Sequence, residues 1–113
     1  MPIGIAAVEG ERFVDVEALV DTGATYTWVP RDVLDGLGVR PTEDCPFLLA
    51  DGREVSYPIG WIRIRIDGRA QPTIAVFGDP GSEPLLGAFA LEGFRFAADP
   101  VTRRLLPVPA LLK

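Results

Sequence analysis

The sequence predicts a mostly-β fold, a small closed barrel with one or two short helices. Three observations predict it. Eleven prolines and twelve glycines are spread through the 113 residues, which favours short strands and tight turns over long helices. Apolar and polar residues alternate over several short stretches, the periodicity of half-buried strands. Asp51-Gly52 and Asp67-Gly68 each separate two such stretches, and Asp-Gly in that setting is a strong hairpin signal. With 48% apolar residues and well-mixed charge, the chain can bury one real core but not two. Residues 1–113 therefore read as a single domain.

The elements follow in order. From Arg12 to Val20, Val14, Val16, Ala18 and Val20 share one face, so this run reads as a half-buried strand leading straight into Asp21. Tyr26 to Val29 is a second short strand. Pro30 then opens a helix over Arg31 to Asp35 that stops at Gly36 or Gly38. Phe47 to Ala50 and Arg53 to Tyr57 flank the first Asp-Gly turn. Ile62, Ile64 and Ile66 alternate with Arg63 and Arg65 and lead through Asp67-Gly68 to a returning strand over Thr73 to Phe77. Gly78 to Pro84 is a loop. Leu85-Leu86-Gly87 precedes a short helix over Ala88 to Glu92 that ends at Gly93. Phe94 to Phe96 and Arg104 to Leu106 form a last pair of strands joined through Asp99-Pro100.

Composition excludes several chemistries. There is no histidine, which removes Ser-His-Asp and Cys-His catalysis and histidine-bound metal. The one cysteine, Cys45, lies beside Pro46; it has no cysteine to pair with and no histidine to activate it, and reads as an inert thiol. No metal or cofactor is expected. A net charge of −5 without a basic stripe argues against a nucleic-acid partner. Met1 to Ile5 lacks a basic region followed by an apolar stretch, and no segment approaches membrane-spanning length. No membrane partner and a cytoplasmic location are expected.

The most informative feature is Asp21-Thr22-Gly23, placed directly after the apolar run that ends at Val20. Thr-Gly turns the chain sharply and supplies a hydroxyl and a closely approaching backbone. A carboxylate at the end of a buried strand needs hydrogen-bond partners or a chemical task. From these residues alone, Asp21 is either a catalytic acid or the cap of its own turn.

The order of motifs resembles the retroviral-type (retropepsin-like) aspartic proteases from about Phe13 to Leu106. Asp21-Thr22-Gly23-Ala24 carries the likeness, with a hairpin some thirty residues on and Leu85-Leu86-Gly87 entering a short helix. The resemblance implies an aspartic endopeptidase in which each subunit of a homodimer gives one catalytic Asp. This chain has no Asp-Ser-Gly and no second Asp-Thr-Gly, so the second acid must come from a symmetric copy. The resemblance also implies roles. Asp21, Thr22 and Gly23 are catalytic, Thr22 locking the two turns together and Gly23 permitting close approach. Ala24 and Thr25, with Ala50, Asp51, Gly52 and Arg53 on a flap, bind the polypeptide substrate. Pepsin-type enzymes carry Ser or Thr where this chain has Ala24, donating to the acid; without that donor, a pH optimum in mild acid is expected rather than one near pH 2.

The chain departs from the viral pattern in a flap carrying Asp51, Arg53 and Glu54, and in Ala88 where those enzymes have Arg. The apolar tail Leu105 to Leu112 and the segment Pro2 to Ala7 either interleave with a partner, as the resemblance implies, or pack on their own subunit. Asp51-Gly52 alone proves only a turn. Leu85-Leu86-Gly87 reads as packing beneath the catalytic turn, Trp28 and Trp61 as core or barrel-surface residues. Arg63 and Arg65 read as a solvated strand face, and Arg103 and Arg104 as exposed or facing a partner. Two other functions fit the same pattern: a silent peptide-binding or dimerisation module on this fold, and a structural barrel whose acid is a turn cap.

Overall fold

A computed structural model describes residues 1–99, 101–102 and 104–110. Pro100, Arg103, Leu111 and Leu112 lie outside the described residues, and the expectations for them go no further. The chain runs β1 (Pro2–Ala7), β2 (Val14–Glu17), β3 (Leu19–Val20), β4 (Thr27–Pro30), α1 (Arg31–Gly36), β5 (Glu43–Leu48), β6 (Glu54–Ile66), β7 (Arg69–Gly78), β8 (Leu85–Leu86), α2 (Ala88–Gly93), β9 (Phe96–Ala98) and β10 (Leu105–Pro107). The first eight strands form one sheet in the order β2-β1-β6-β7-β4-β8-β3, with β5 added to β6. The fold is mostly β, a nearly closed barrel with two short helices.

The near-closure comes from the run Arg12 to Val20, expected as one strand. It is broken at Ala18, which is 2% exposed. The part before it pairs with β1 and the part after it with β8, so a single residue joins the two ends of the strand order. The alternation on β6 is as expected: Ile62, Ile64 and Ile66 are 0–1% exposed, facing Ile3 and Ile5 of β1, with Leu34 of α1, Leu91 of α2 and Phe94 completing the core.

Two strands expected around Pro58 are one. β6 runs unbroken because Pro58 sits where the strand changes partners. Glu54 to Ile59 pairs with β5, and Ile59 to Ile66 with β7. Pro58 thus needs to serve only one neighbour, the position a strand proline tolerates. Pro72 of β7 likewise precedes the stretch Ala75 to Gly78 that pairs with β4.

β1 takes the second of the two courses expected for Pro2 to Ala7. Pro2 to Ile5 pairs with β2 on one edge and Gly4 to Ala7 with β6 on the other, so this segment packs on its own subunit. Arg63 and Arg65 differ from a plainly solvated face. Their guanidinium carbons lie 5.0 and 4.4 Å from the Phe13 ring centroid, and the Arg63 guanidinium donates to the Gly10 carbonyl. β9 and β10 form a separate two-stranded sheet with the register Leu105↔Ala98 to Pro107↔Phe96. Among the described residues they pair with no other strand.

Candidate active site

Asp21 is delivered by a two-residue parallel pairing. Leu19 and Val20 run parallel to Leu85 and Leu86, the Leu19 N–H donates to the Pro84 carbonyl at 2.9 Å, and the Asp21 N–H donates to the Leu86 carbonyl at 3.0 Å. The strand before Asp21 is less buried than its composition suggests: Leu19 is 52% exposed, and Val20 and Asp21 are half-buried. β3 ends the strand order, so only the side shared with the fully buried Leu86 faces the core.

The turn then closes on itself. The Gly23 N–H donates to Asp21 Oδ1 at 3.0 Å, and the Ala24 N–H donates to the Asp21 carbonyl at 3.2 Å. A Cβ on Gly23 would sit 3.2 Å from Asp21 Oδ1, so glycine permits this close approach. Thr22, Gly23 and Thr25 are exposed and Ala24 is half-buried.

What fixes the turn is a backbone crossing at Gly87. A Cβ there would lie 2.9 Å from the Thr27 nitrogen and closer still to the Tyr26 carbonyl, so only glycine fits. The Gly87 N–H donates to the buried Thr27 Oγ1 at 3.2 Å. Immediately after, the free N–H groups of the first turn of α2 reach the loop: Ala88 donates to the Ala24 carbonyl at 2.8 Å and Phe89 to the Thr25 carbonyl at 2.9 Å. Leu85-Leu86-Gly87 is therefore more than packing beneath the turn; it clamps the turn from both sides.

One cross-strand row leads away from the acid. Leu19 pairs with Leu85, Leu85 with Trp28, and Trp28 with Val76. It passes from exposed Leu19 to fully buried Val76. Trp28 is half-buried, its ring centroid 5.2 Å from that of Phe47 and 4.9 Å from that of Tyr57. These three rings fasten the base of the β5–β6 hairpin to the barrel. On the outside, the Tyr57 hydroxyl donates to Asp79 Oδ2 at 3.3 Å, Arg31 Nη2 donates to Asp79 Oδ1 at 3.4 Å, and Arg31 Nε donates to the Gly78 carbonyl at 3.2 Å.

Ala50, Asp51, Gly52 and Arg53 form the tip of that hairpin. The turn is wider than a two-residue Asp-Gly loop: the Gly52 N–H donates to the Leu49 carbonyl and the Leu49 N–H to the Arg53 carbonyl, with Gly52 at φ 87°. This is the three-residue loop that ends in a left-handed glycine. Asp51 accepts the Arg53 N–H at 3.0 Å and the Arg53 Nε–H at 2.6 Å. These donors, the backbone one first, hold the Asp51 carboxyl below its ordinary value. Among the described residues no hydrogen bond or ion pair joins the hairpin tip to the Asp21 turn. The structure thus gathers Asp21 to Thr25 into one loop and sets Ala50 to Arg53 on a separate arm. Among the described residues no group of three or more Cys, Asp or Glu side chains is arranged to hold a metal ion.

A cavity of about 370 Å³ opens beside Thr22, lined also by Ala88, Leu91, Glu92 and Phe96 to Ala98. It places β9 and the Asp21 turn on a common rim. Sequence reasoning missed Thr27, the Trp28–Phe47–Tyr57 cluster and Asp79. Thr27 takes its place through Gly87, sixty residues away, and gives no local signal. The aromatic cluster joins residues distant in sequence, and no local pattern announces it.

An Asp-Thr-Gly turn clamped by a Leu-Leu-Gly crossing on a nearly closed barrel defines the aspartic-protease class of fold. The family profile described as "Aspartyl protease" matches residues 5–89, and the chain belongs to that family. Its fold is similar to simian foamy virus (mac) protease, at 21% identity and a TM-score of 0.57, over 81% of this chain and 92% of that one. It is also similar to the retroviral protease-like domain of Ddi1 from Leishmania major, at 16% identity and 0.53, over 96% and 93%. A Legionella pneumophila protein of unknown function, Lpg0085, is similar at 15% identity and 0.54, over 88% and 89%. A search of curated protein sequences finds no match.

Proposed function

We propose that residues 1–113 form one half of a homodimeric aspartic endopeptidase, with an Asp21 contributed by each copy. The observation that carries this reading is the Asp21 turn, half-buried at the acid and exposed at Thr22 and Gly23, held by backbone bonds from β8 and α2, in a chain that holds only one such acid motif. An acid presented on so constrained a loop is organised for chemistry rather than for solubility. Dimerisation is supported by the β9–β10 sheet. A two-stranded ribbon gains from further strands; Leu106 of β10 and Val108 just after it are 46% and 40% exposed, and β9 borders the same cavity as Thr22. Joining this sheet to that of a second copy brings the two Asp21 turns toward a common twofold axis.

In such a dimer the carboxylates stand about 3 Å apart and retain one proton between them, aspartic proteases being the standard example of this effect. The ionised member takes a proton from a water held between them, and the water oxygen attacks the peptide carbonyl carbon. The protonated member hydrogen-bonds the carbonyl oxygen as negative charge develops there. Proton transfer to the amide nitrogen then lets the C–N bond break, leaving a carboxylic acid and an amine. The arm bearing Ala50 to Arg53 closes over the substrate, and Ala24 and Thr25 line the cleft beside the acid. Without a side-chain donor at Ala24, the optimum falls in mild acid.

Sedimentation of the purified chain, run beside peptide-library cleavage by wild type and Asp21→Asn, tests this. The expected result is a dimer that cleaves peptides, with cleavage abolished in Asp21→Asn and the fold kept, because Asn retains the Oδ1 acceptor for Gly23. Peptide binding without cleavage by wild type would identify a silent recognition module instead.

A further inference from the structure

We infer that Arg69 is a positioning residue for dimerisation: it docks the C-terminal β9–β10 hairpin onto the barrel in the orientation that a second copy must meet. The inference rests on the dimeric reading above. Arg69 is the first residue of β7, directly after the Asp67-Gly68 turn. Its guanidinium carbon lies 5.4 Å from the Phe94 ring centroid and 5.1 Å from that of Phe96, and Nη2 donates to the Phe94 carbonyl at 3.2 Å.

These two rings stand on either side of the point where the chain leaves the barrel. Phe94 caps α2 and is 2% exposed in the core, whereas Phe96 begins β9 and is half-buried. They lie parallel, 6.0 Å between centroids and 2° between planes. Arg95 between them has φ 58°, a left-handed conformation that costs a non-glycine residue about 1 kcal/mol or more unless its surroundings impose it. Arg69 supplies that imposition, gripping the residues on both sides of the kink.

Apart from Phe96 and Leu105, which pack against the core, little else ties the hairpin down. Among the described residues, the Arg69 bond to Phe94 is the one hydrogen bond from the eight-stranded sheet to the chain after α2. The Val108 N–H donates to the Arg95 carbonyl at 2.8 Å, so the far strand hangs from the same kink. A planar guanidinium can face two rings and still donate to a carbonyl; an ammonium can do only part of this. Arg69 itself is exposed, so replacing it opens no cavity in the core.

The test measures dimer dissociation by sedimentation, and kcat and KM against protein concentration, for wild type, Arg69→Lys and Arg69→Ala. Arg69→Ala is expected to raise the dissociation constant by about tenfold per copy, about a hundredfold for the twofold assembly. Arg69→Lys should fall between. At concentrations where Arg69→Ala is fully dimeric, kcat should equal that of wild type, and two copies joined by a flexible linker should restore activity at low concentration. Hydrogen exchange at Val108 should quicken while β6 amides stay protected. An unchanged dissociation constant in Arg69→Ala, or kcat still lost in the saturated dimer, would overturn the inference and leave the protease reading standing. A wild-type chain that stays monomeric at every concentration overturns both.

Discussion

Gly87→Ala tests the backbone crossing on which the candidate site depends. The added methyl would fall 2.9 Å from the Thr27 nitrogen and still nearer the Tyr26 carbonyl, both fixed backbone rather than a yielding side chain. Relief requires the two segments to part by about 1 Å, which carries hydrogen bonds of 2.8–3.2 Å beyond useful length. Those at stake are Asp21 to Leu86, Ala88 to Ala24, Phe89 to Thr25 and Gly87 to Thr27. Each contributes a net of about 0.5–1.5 kcal/mol, so losing two or three costs about 1–4.5 kcal/mol, and stranding the buried Gly87 N–H adds about 1 kcal/mol or more. A loss of about 3 kcal/mol lowers the melting temperature of a chain this size by roughly 12 °C, and domains of 5–15 kcal/mol survive it. Urea unfolding followed by circular dichroism reads the loss as a lower midpoint at unchanged slope. Gly36→Ala is the control: nothing lies within 4 Å of its added methyl, at the end of α1, and it should be neutral or up to about 1 kcal/mol stabilising. If Gly87→Ala unfolds within 0.5 kcal/mol of wild type on the order of the control, the crossing does not hold the turn and the reasoning fails.

Two further predictions concern the arms. Trp28→Ala removes both ring pairs that fasten the base of the β5–β6 hairpin; at about 0.5–1.5 kcal/mol per pair, amide exchange on β5 and the start of β6 should quicken by roughly 10- to 100-fold. Unchanged protection at Phe47 and Tyr57 would show that the rings do not restrain the arm. Acid should loosen both hairpin tips. Asp51 and Asp99 titrate below the ordinary 3.8, chiefly because the N–H groups of Arg53 and Val101 donate to them. A depressed folded value means that this stabilisation is complete above pH 3.8 and is lost as pH falls through the lower folded value. Carboxyl titration by NMR, tracked at the Arg53 and Val101 amides, should give midpoints under 3.8; midpoints at or above it contradict the turn geometry.

The strands that carry a strict two-residue alternation were legible, because alternation on β6 needs only one buried face and Ile62, Ile64 and Ile66 supply it. The helices were legible from Pro30 and Gly93 as punctuation, and the Asp21 motif from its apolar approach. What escaped was set by strands meeting across the barrel. Pro58 looks like a break unless it is known that β6 changes neighbours there. Ala18 looks like one more inward residue, although it is the joint between the two ends of the sheet. Thr27 reads as an ordinary strand threonine until Gly87 arrives against it from sixty residues away.

The same distinction separates the turn from its proposed assembly. Among the described residues, the groups that fix the Asp21 turn lie on β8, on α2 or in the turn itself, so a single copy holds the acid in place. The surface proposed to bring a second acid to it lies on a hairpin tied to the barrel through one exposed arginine, two rings and the packing of Leu105. Rigidity at the acid and lightness at the hairpin assign different failures to different substitutions. Changes at Gly87 should remove activity by deforming each half-site, at any protein concentration. Changes at Arg69 should remove it only where the copies come apart.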